Sequence, residues 1–122
     1  MVRCLHVHRG EQRVASRTNV FIGCAGWSLP SASRSMFGAG DSMLARYATR
    51  FDLAEVNSSF YRPHQRKTWE RWADSVPPRF AFTAKLPQEI SHERALRGCV
   101  ACLERFHDQV DGLGIKLACL LL

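Results

Sequence analysis

No stretch of this 122-residue chain approaches the run of about eighteen apolar residues that a membrane-spanning helix needs, so no membrane role is expected. Cysteine is sparse and odd in number: Cys4, Cys24, Cys99, Cys102 and Cys119. Most sit in apolar contexts with no secretory leader ahead of them, which excludes a disulfide framework and points to reduced thiols in a cytoplasmic protein. Metal-ligand spacing is missing as well. "HVH" at 6–8 has no third ligand at a suitable distance in sequence, and no metal is expected. "CVAC" at 99–102 has the spacing of a redox motif but falls on the apolar face of a helical pattern, where it reads as core. Low-complexity segments are lacking, and no repeat larger than a βα unit is present.

Acidic residues are the minority, 11 against 17 basic ones, for a net charge of +6. Half of that excess lies in residues 1–18, where Arg3, Arg9, Arg13 and Arg17 face Glu11 alone. This segment reads as a basic, disordered arm ahead of a single domain over 19–122. Such an arm can bind phosphates but is more commonly a solvated tail. Hydrophobic residues at 46% and charged residues at 23% are close to the globular average.

What is present alternates strands with helices. "NVFIGCAGW" (19–27) is a β-branched and aromatic run closing in glycine, as a buried strand does. A Ser/Gly/Pro-rich loop follows, and Asp41 is placed to cap a helix with Leu44, Tyr47, Ala48 and Phe51 on its buried face. A second strand starts at Leu53 and runs to about Ser59. A helix over 65–76 carries Trp69, Trp72, Ala73 and Val76 on one side, and Pro77 and Pro78 end it. "FAFTAKLP" is a third strand. The spacing then predicts a long helix over 92–111 with Leu96, Cys99, Val100, Leu103, Phe106 and Val110 inward, stopped by Gly112 and Gly114. "KLACLLL" is a fourth strand, continuous in apolar residues and so expected to be buried on both faces.

The order β-α-β-α-β-α-β implies a parallel sheet with three crossover helices. In the second strand Leu53, Glu55, Asn57 and Ser59 share a face; in the third, Ala81, Thr83 and Lys85 do. That face is small near the strand start and polar near its end, as in a barrel packed at its base and functional at its C-terminal mouth. The fold class is therefore α/β, a partial TIM-like (β/α) barrel of about four parallel strands.

"IGCAGWS", "EVNSSFYRPH", "FAFTAKLPQEISHERAL" and "GLGIKLACLLL", in this order and spacing, resemble the YecE-like proteins, a group known as domain of unknown function number 72. The resemblance runs from about Asn19 onward and implies a TIM-like barrel, but no established reaction, and it leaves the cofactor open. Family members share a Glu-x-Asn-x-x-Phe-Tyr block, carried here by Glu55, Asn57, Phe60 and Tyr61. They also share a Lys-x-Pro turn, here Lys85 and Pro87, and a His-Glu pair, here His92 and Glu93. Complete members are about twice as long. This chain is thus expected to be a truncated N-terminal half-barrel, inactive alone or self-associating.

Glu55 and Lys85 lie on neighbouring strands and on one face. Either Lys85 binds a phosphate or carboxylate while Glu55 acts as base, or the two form a structural ion pair. Asn57 and Ser58 can orient a ligand hydroxyl or tie down a loop. His92 beside Glu93 can shuttle a proton or simply occupy a helix start. Trp27, Tyr61 and Arg62 can stack on a base or sugar, or roof the barrel. The expected partner is a small polar or anionic ligand at the strand ends, with nucleic acid as the alternative.

Overall fold

A computed structural model describes residues 20–122; the basic arm lies outside the described residues. Four strands form one parallel sheet in the order β1-β2-β3-β4: β1 Gly23–Ala25, β2 Leu53–Val56, β3 Ala81–Lys85 and β4 Leu117–Leu121. Three helices cross between them, α1 Met43–Tyr47, α2 Arg66–Asp74 and α3 Val100–Val110. This is the strand order of a partial (β/α) barrel, each strand lying beside its predecessor.

Residues on the helix-facing side of the central strands, Ala54, Val56, Phe82 and Ala84, are at most 1% exposed. They pack with Leu44, Tyr47, Trp69, Phe80, Phe106 and Val110 into one apolar cluster. Trp69 is the largest side chain in it without solvent contact, sitting edge-on to Trp72 and to Phe106. The opposite face behaves differently. Leu53, Glu55, Ala81 and Lys85 are half-buried, and of the β3 residues on that side Thr83 alone is fully enclosed.

Several boundaries differ from the sequence reading, each for a local reason. Ser42, not Asp41, caps α1, its hydroxyl accepting from the Ala45 N–H at 3.0 Å. The preceding loop contains a 3₁₀ turn at Ser31–Met36, held down by guanidinium groups: Arg46 donates to the carbonyls of Gly38 and Arg34, and Arg50 to that of Met36. β2 stops at Val56, because Asn57–Phe60 winds into a 3₁₀ turn.

The third helix begins at Val100, not at 92. Residues Glu89–Glu93 make a single wide π-type turn, and Ala95, Leu96 and Gly98 then adopt positive φ, which no continuous right-handed helix allows. Leu96 is consequently 56% exposed rather than in the core, and Ile90 takes the inward place. On α3 itself Cys102, Phe106 and Val110 face inward, with Cys99 just ahead of them. Val100 and Leu103, expected inward, are exposed.

β4 forms where expected but is not buried on both faces: Ala118 and Leu120 are exposed, as befits the last strand of the described sheet. Its register slips by one residue near Ala118, since Phe82 pairs with Leu117 and Thr83 with Cys119.

β1 is short and is tied to β2 through a side chain. The Tyr47 hydroxyl accepts from the Cys24 N–H at 2.7 Å and donates to the Leu53 carbonyl at 2.9 Å. Burial pushes the Tyr47 phenol up to about 12, so it stays a donor throughout the physiological range. Tyr47→Phe leaves the ring packing intact but strips a part-buried N–H and a carbonyl of their shared partner. We expect a loss of about 1–3 kcal/mol, read as a lowered urea midpoint with unchanged slope. An unchanged midpoint would show that β1 is held by its backbone ladder alone.

Candidate functional site

The C-terminal ends of β2 and β3 are joined by one buried hydroxyl. Ser59 Oγ lies 2.8 Å from the Val56 carbonyl and 2.5 Å from the Lys85 carbonyl, so its single proton is shared between the two strand ends. The ladder continues outward, with the Leu86 N–H donating to the Leu121 carbonyl at 2.7 Å. Because Ser59 is pinned, its neighbour Phe60 is set at the mouth as a half-buried ring with three companions. The Lys85 ammonium stands 4.4 Å from its centroid. His92 meets it edge-on at 5.1 Å and Tyr61 at 4.9 Å. A cation over an aromatic face at this distance is an attractive contact of about 0.5–2 kcal/mol.

Glu55 and Lys85 share a face, since Glu55 is in register with Thr83, two residues before Lys85. They do not form an ion pair. The salt bridges among the described residues all lie elsewhere, joining Arg66 to Glu70 and Asp111, and Glu89 to Arg94 and Arg105. Among the described residues both mouth charges are thus half-buried without a counter-charge, and the structural ion-pair reading of the two falls away. Asn57 is half-buried beside them and its amide makes no hydrogen bond to the described residues. His92 is exposed and its Nδ1 lies 2.8 Å from Ser91 Oγ.

Next to this rim, and sharing Phe60 with it, is a cleft of about 320 Å³ between the loops after β2 and β3 and the flank of α3. Tyr61, Arg62 and Pro63 form one wall, Pro87 to Ile90 another, and Arg105, Phe106 and Gln109 the third. Of the residues singled out from the sequence, Tyr61 and Arg62 reach this cleft, as do Phe60, Pro87 and Glu93 of the family blocks. Glu55, Lys85, Asn57 and His92 gather on the rim. Trp27 belongs to neither: it is wedged edge-on against Trp72 at 5.1 Å and Phe82 at 6.3 Å, on the helix side of the sheet. Its ring is spent in packing, whereas Tyr61 and Arg62 remain exposed.

Inside the cleft Glu89 gathers three donors. The Cys102 thiol donates at 2.9 Å, Arg94 at 3.3 Å and Arg105 at 3.2 Å. The thiol bond, aided by both guanidinium groups, holds the Glu89 carboxyl below the usual carboxylate range. The same bond, with burial, pushes the Cys102 thiol up, away from the thiolate that redox chemistry requires. Cys99 is likewise buried, its Sγ lying 3.3 Å from the Arg97 carbonyl. "CVAC" therefore packs as part of the fold. Among the described residues no group of three His, Cys, Asp or Glu side chains is arranged to hold a metal ion; "HVH" lies outside them.

His64 is the residue that sequence reasoning missed. Its Nε2 lies 2.8 Å from Ser58 Oγ, and its ring is held edge-on by Trp69 at 5.6 Å and Trp72 at 5.0 Å. The bond closes the loop 58–64 on itself, so Ser58 is engaged in fixing the rim. Burial, reinforced by the nearby Arg62 charge, lowers the His64 pKa. The signal was present in the sequence: a histidine five residues before a core tryptophan, just ahead of a helix start.

A parallel sheet wound in order, buried on its helix side and bearing free charges at its C-terminal ends, defines a (β/α)-barrel segment. The comparisons place that segment more narrowly. A family model described as "Protein of unknown function DUF72" matches residues 21–122, and the chain belongs to this family. It is 30% identical over 98 residues to the UPF0759 protein YecE of Escherichia coli (strain K12), covering 80% of this chain and 35% of that protein. The UPF0759 protein YunF of Bacillus subtilis (strain 168) is 28% identical over 76 residues, 62% of this chain and 27% of that one. Among solved structures, a DUF72 family protein (EF0366) from Enterococcus faecalis V583 superposes with a TM-score of 0.63 at 22% identity. It covers 80% of this chain and 36% of its own. A second structure of that protein gives a TM-score of 0.57 at 20% identity. The chain thus spans about a third of the length of the relatives it matches. No helix among the described residues is long and apolar enough to cross a membrane.

His64 supplies a pH dependence. Its folded pKa lies below the unfolded value of 6.5, so the unfolded chain binds the proton more readily. The contribution of His64 is complete above pH 6.5 and is lost as pH falls from there toward the folded pKa. Thermal melts between pH 5 and 8 should show this decline, and His64→Gln should flatten it. An identical pH profile in the variant would assign the dependence to other groups.

Proposed function

We propose that the C-terminal mouth binds a small polar or phosphorylated ligand, with Lys85 as the anion-binding group. The observation that carries this reading is Lys85, half-buried and in no ion pair among the described residues, its ammonium held over the Phe60 ring at the end of a central strand. A lysine held away from bulk water without a counter-ion is poised to gain more from an incoming anion than a solvated surface lysine does. Glu55, on the same face and equally without a cation, accepts a ligand hydroxyl or takes a proton from it. Asn57 offers a free amide beside them, and His92 stands where its ring can exchange a proton with a group lying on Phe60. Tyr61 and Arg62 extend the surface into the adjoining cleft, which is large enough for a metabolite-sized molecule.

The reading is tested by titrating inorganic phosphate, then a panel of sugar phosphates, into the chain and into Lys85→Met. Methionine keeps the apolar stem against Phe60 and removes only the charge. Loss of one charge-assisted contact of about 1.5–3 kcal/mol corresponds to a roughly 10- to 150-fold weaker Kd, with a melting temperature near that of the parent. Phosphate binding equal in the two proteins would overturn the assignment to Lys85, and absence of binding by the parent to any member of the panel would overturn the ligand class.

A further inference from the structure

We infer that the cleft beside the mouth seats the base of a nucleotide whose phosphate lies at Lys85. This rests on the ligand reading above and narrows it from phosphorylated molecules in general to nucleotides. The two places are joined by Phe60, whose centroid lies 4.4 Å from the Lys85 ammonium and whose ring also lines the cleft. A small anion at Lys85 alone would leave the adjoining 320 Å³ unused, a volume within the range of small-molecule sites. The walls come from residues 59–63, 87–93 and 102–109, so neither edge strand of the sheet shapes this cleft.

The lining suits a planar ring with polar edges. Phe60 and Tyr61 stand nearly perpendicular, at 84°, and form a corner in which a third ring lies flat on one and meets the edge of the other. Tyr61 is 68% exposed, so its ring is open to such a partner. The floor is apolar, made by Ile90 and Phe106. Polar groups stand around it. The Gln109 amide is half-buried and makes no hydrogen bond to the described residues, leaving a donor and an acceptor for the edge of a base. Arg62 and Glu93 take part in no ion pair among the described residues. The guanidinium can stack on the ring, and the carboxylate can accept from ribose hydroxyls. Glu89 does not compete, since its carboxylate already receives Cys102, Arg94 and Arg105. An acyl chain in the same place would cover the Gln109 amide without a partner, at a cost in free energy.

The experiment is calorimetric titration of AMP, ribose 5-phosphate, adenosine and a short single-stranded oligonucleotide into the 122-residue chain, and into Tyr61→Ala and Gln109→Leu. AMP should bind tighter than ribose 5-phosphate by roughly 5- to 150-fold, the worth of one base–aromatic stack. Tyr61→Ala should remove most of that difference, and Gln109→Leu should weaken AMP roughly 2- to 10-fold. Ribose 5-phosphate should bind both variants as it binds the parent. Equal binding of AMP and ribose 5-phosphate by the parent would overturn the base seat and leave the phosphate reading standing. Adenosine binding as tightly as AMP, lost in Tyr61→Ala and with ribose 5-phosphate unbound, would support the base seat and overturn the phosphate reading. AMP binding unchanged in both variants, or no binding of AMP and adenosine, would overturn the inference. So would an oligonucleotide that binds with steep salt dependence where AMP does not, which would point to nucleic acid instead.

Discussion

The hydroxyl of Ser59 holds the mouth of this sheet in place. Buried beneath the rim, it reaches two carbonyls that belong to different strands, so the turn after β2 cannot rotate without losing contact with the end of β3. The position of Phe60 follows, and from Phe60 follow the seat of the Lys85 ammonium and the edge against which His92 rests. A strand continuing straight through Ser59 would have alternated these side chains between the two faces. The 3₁₀ turn gathers them at one end instead. One small polar side chain thus converts a repetitive ladder into a specific arrangement of charge and ring.

The architecture was legible because the periodicities are strong. Strand positions alternate, Trp69 and Val76 keep helical spacing, and the four elements of the sheet appear in chain order. What escaped were the places where hydrogen bonding overrides periodicity. Ala95 and Leu96 carry ordinary helix-forming side chains yet take positive φ, since the wide turn at Glu89–Glu93 closes through the Leu96 N–H onto the Ile90 carbonyl. A pattern of apolar spacing has no access to that closure. The family blocks located the rim residues Glu55, Asn57, Lys85 and His92 together, but spacing alone could not tell that Glu55 and Lys85 stand apart. Register fixes that, and register is a property of the pair of strands.

The two faces of the sheet differ in how their charges are handled. On the outside, Arg66, Glu70, Asp111, Glu89, Arg94 and Arg105 are knitted into exposed ion pairs, each worth little by itself. On the inside Glu55 and Lys85 are half-buried and, among the described residues, take part in no ion pair. Belonging to the DUF72 family does not supply a reaction for them. The contrast is itself informative: the same chain that pairs its outer charges leaves its inner ones open at the end of the barrel where such folds place their chemistry.

The connection into β4 has a consequence for the entropy of folding. The Lys116 ammonium, one residue before the strand, donates to the carbonyls of Ala73 and Val76 at the C-terminal end of α2. Gly112, in the same connection, lies so close to Arg66 and Trp69 that no side chain fits there. The fourth strand therefore takes its starting point from the second helix and not from the third, which precedes it in sequence. Where β4 begins is thus tied to contacts between residues 43 apart in sequence, or 40 for Val76. Bringing together groups that far apart carries a loop-closure entropy that a local helical turn does not, and these hydrogen bonds offset it.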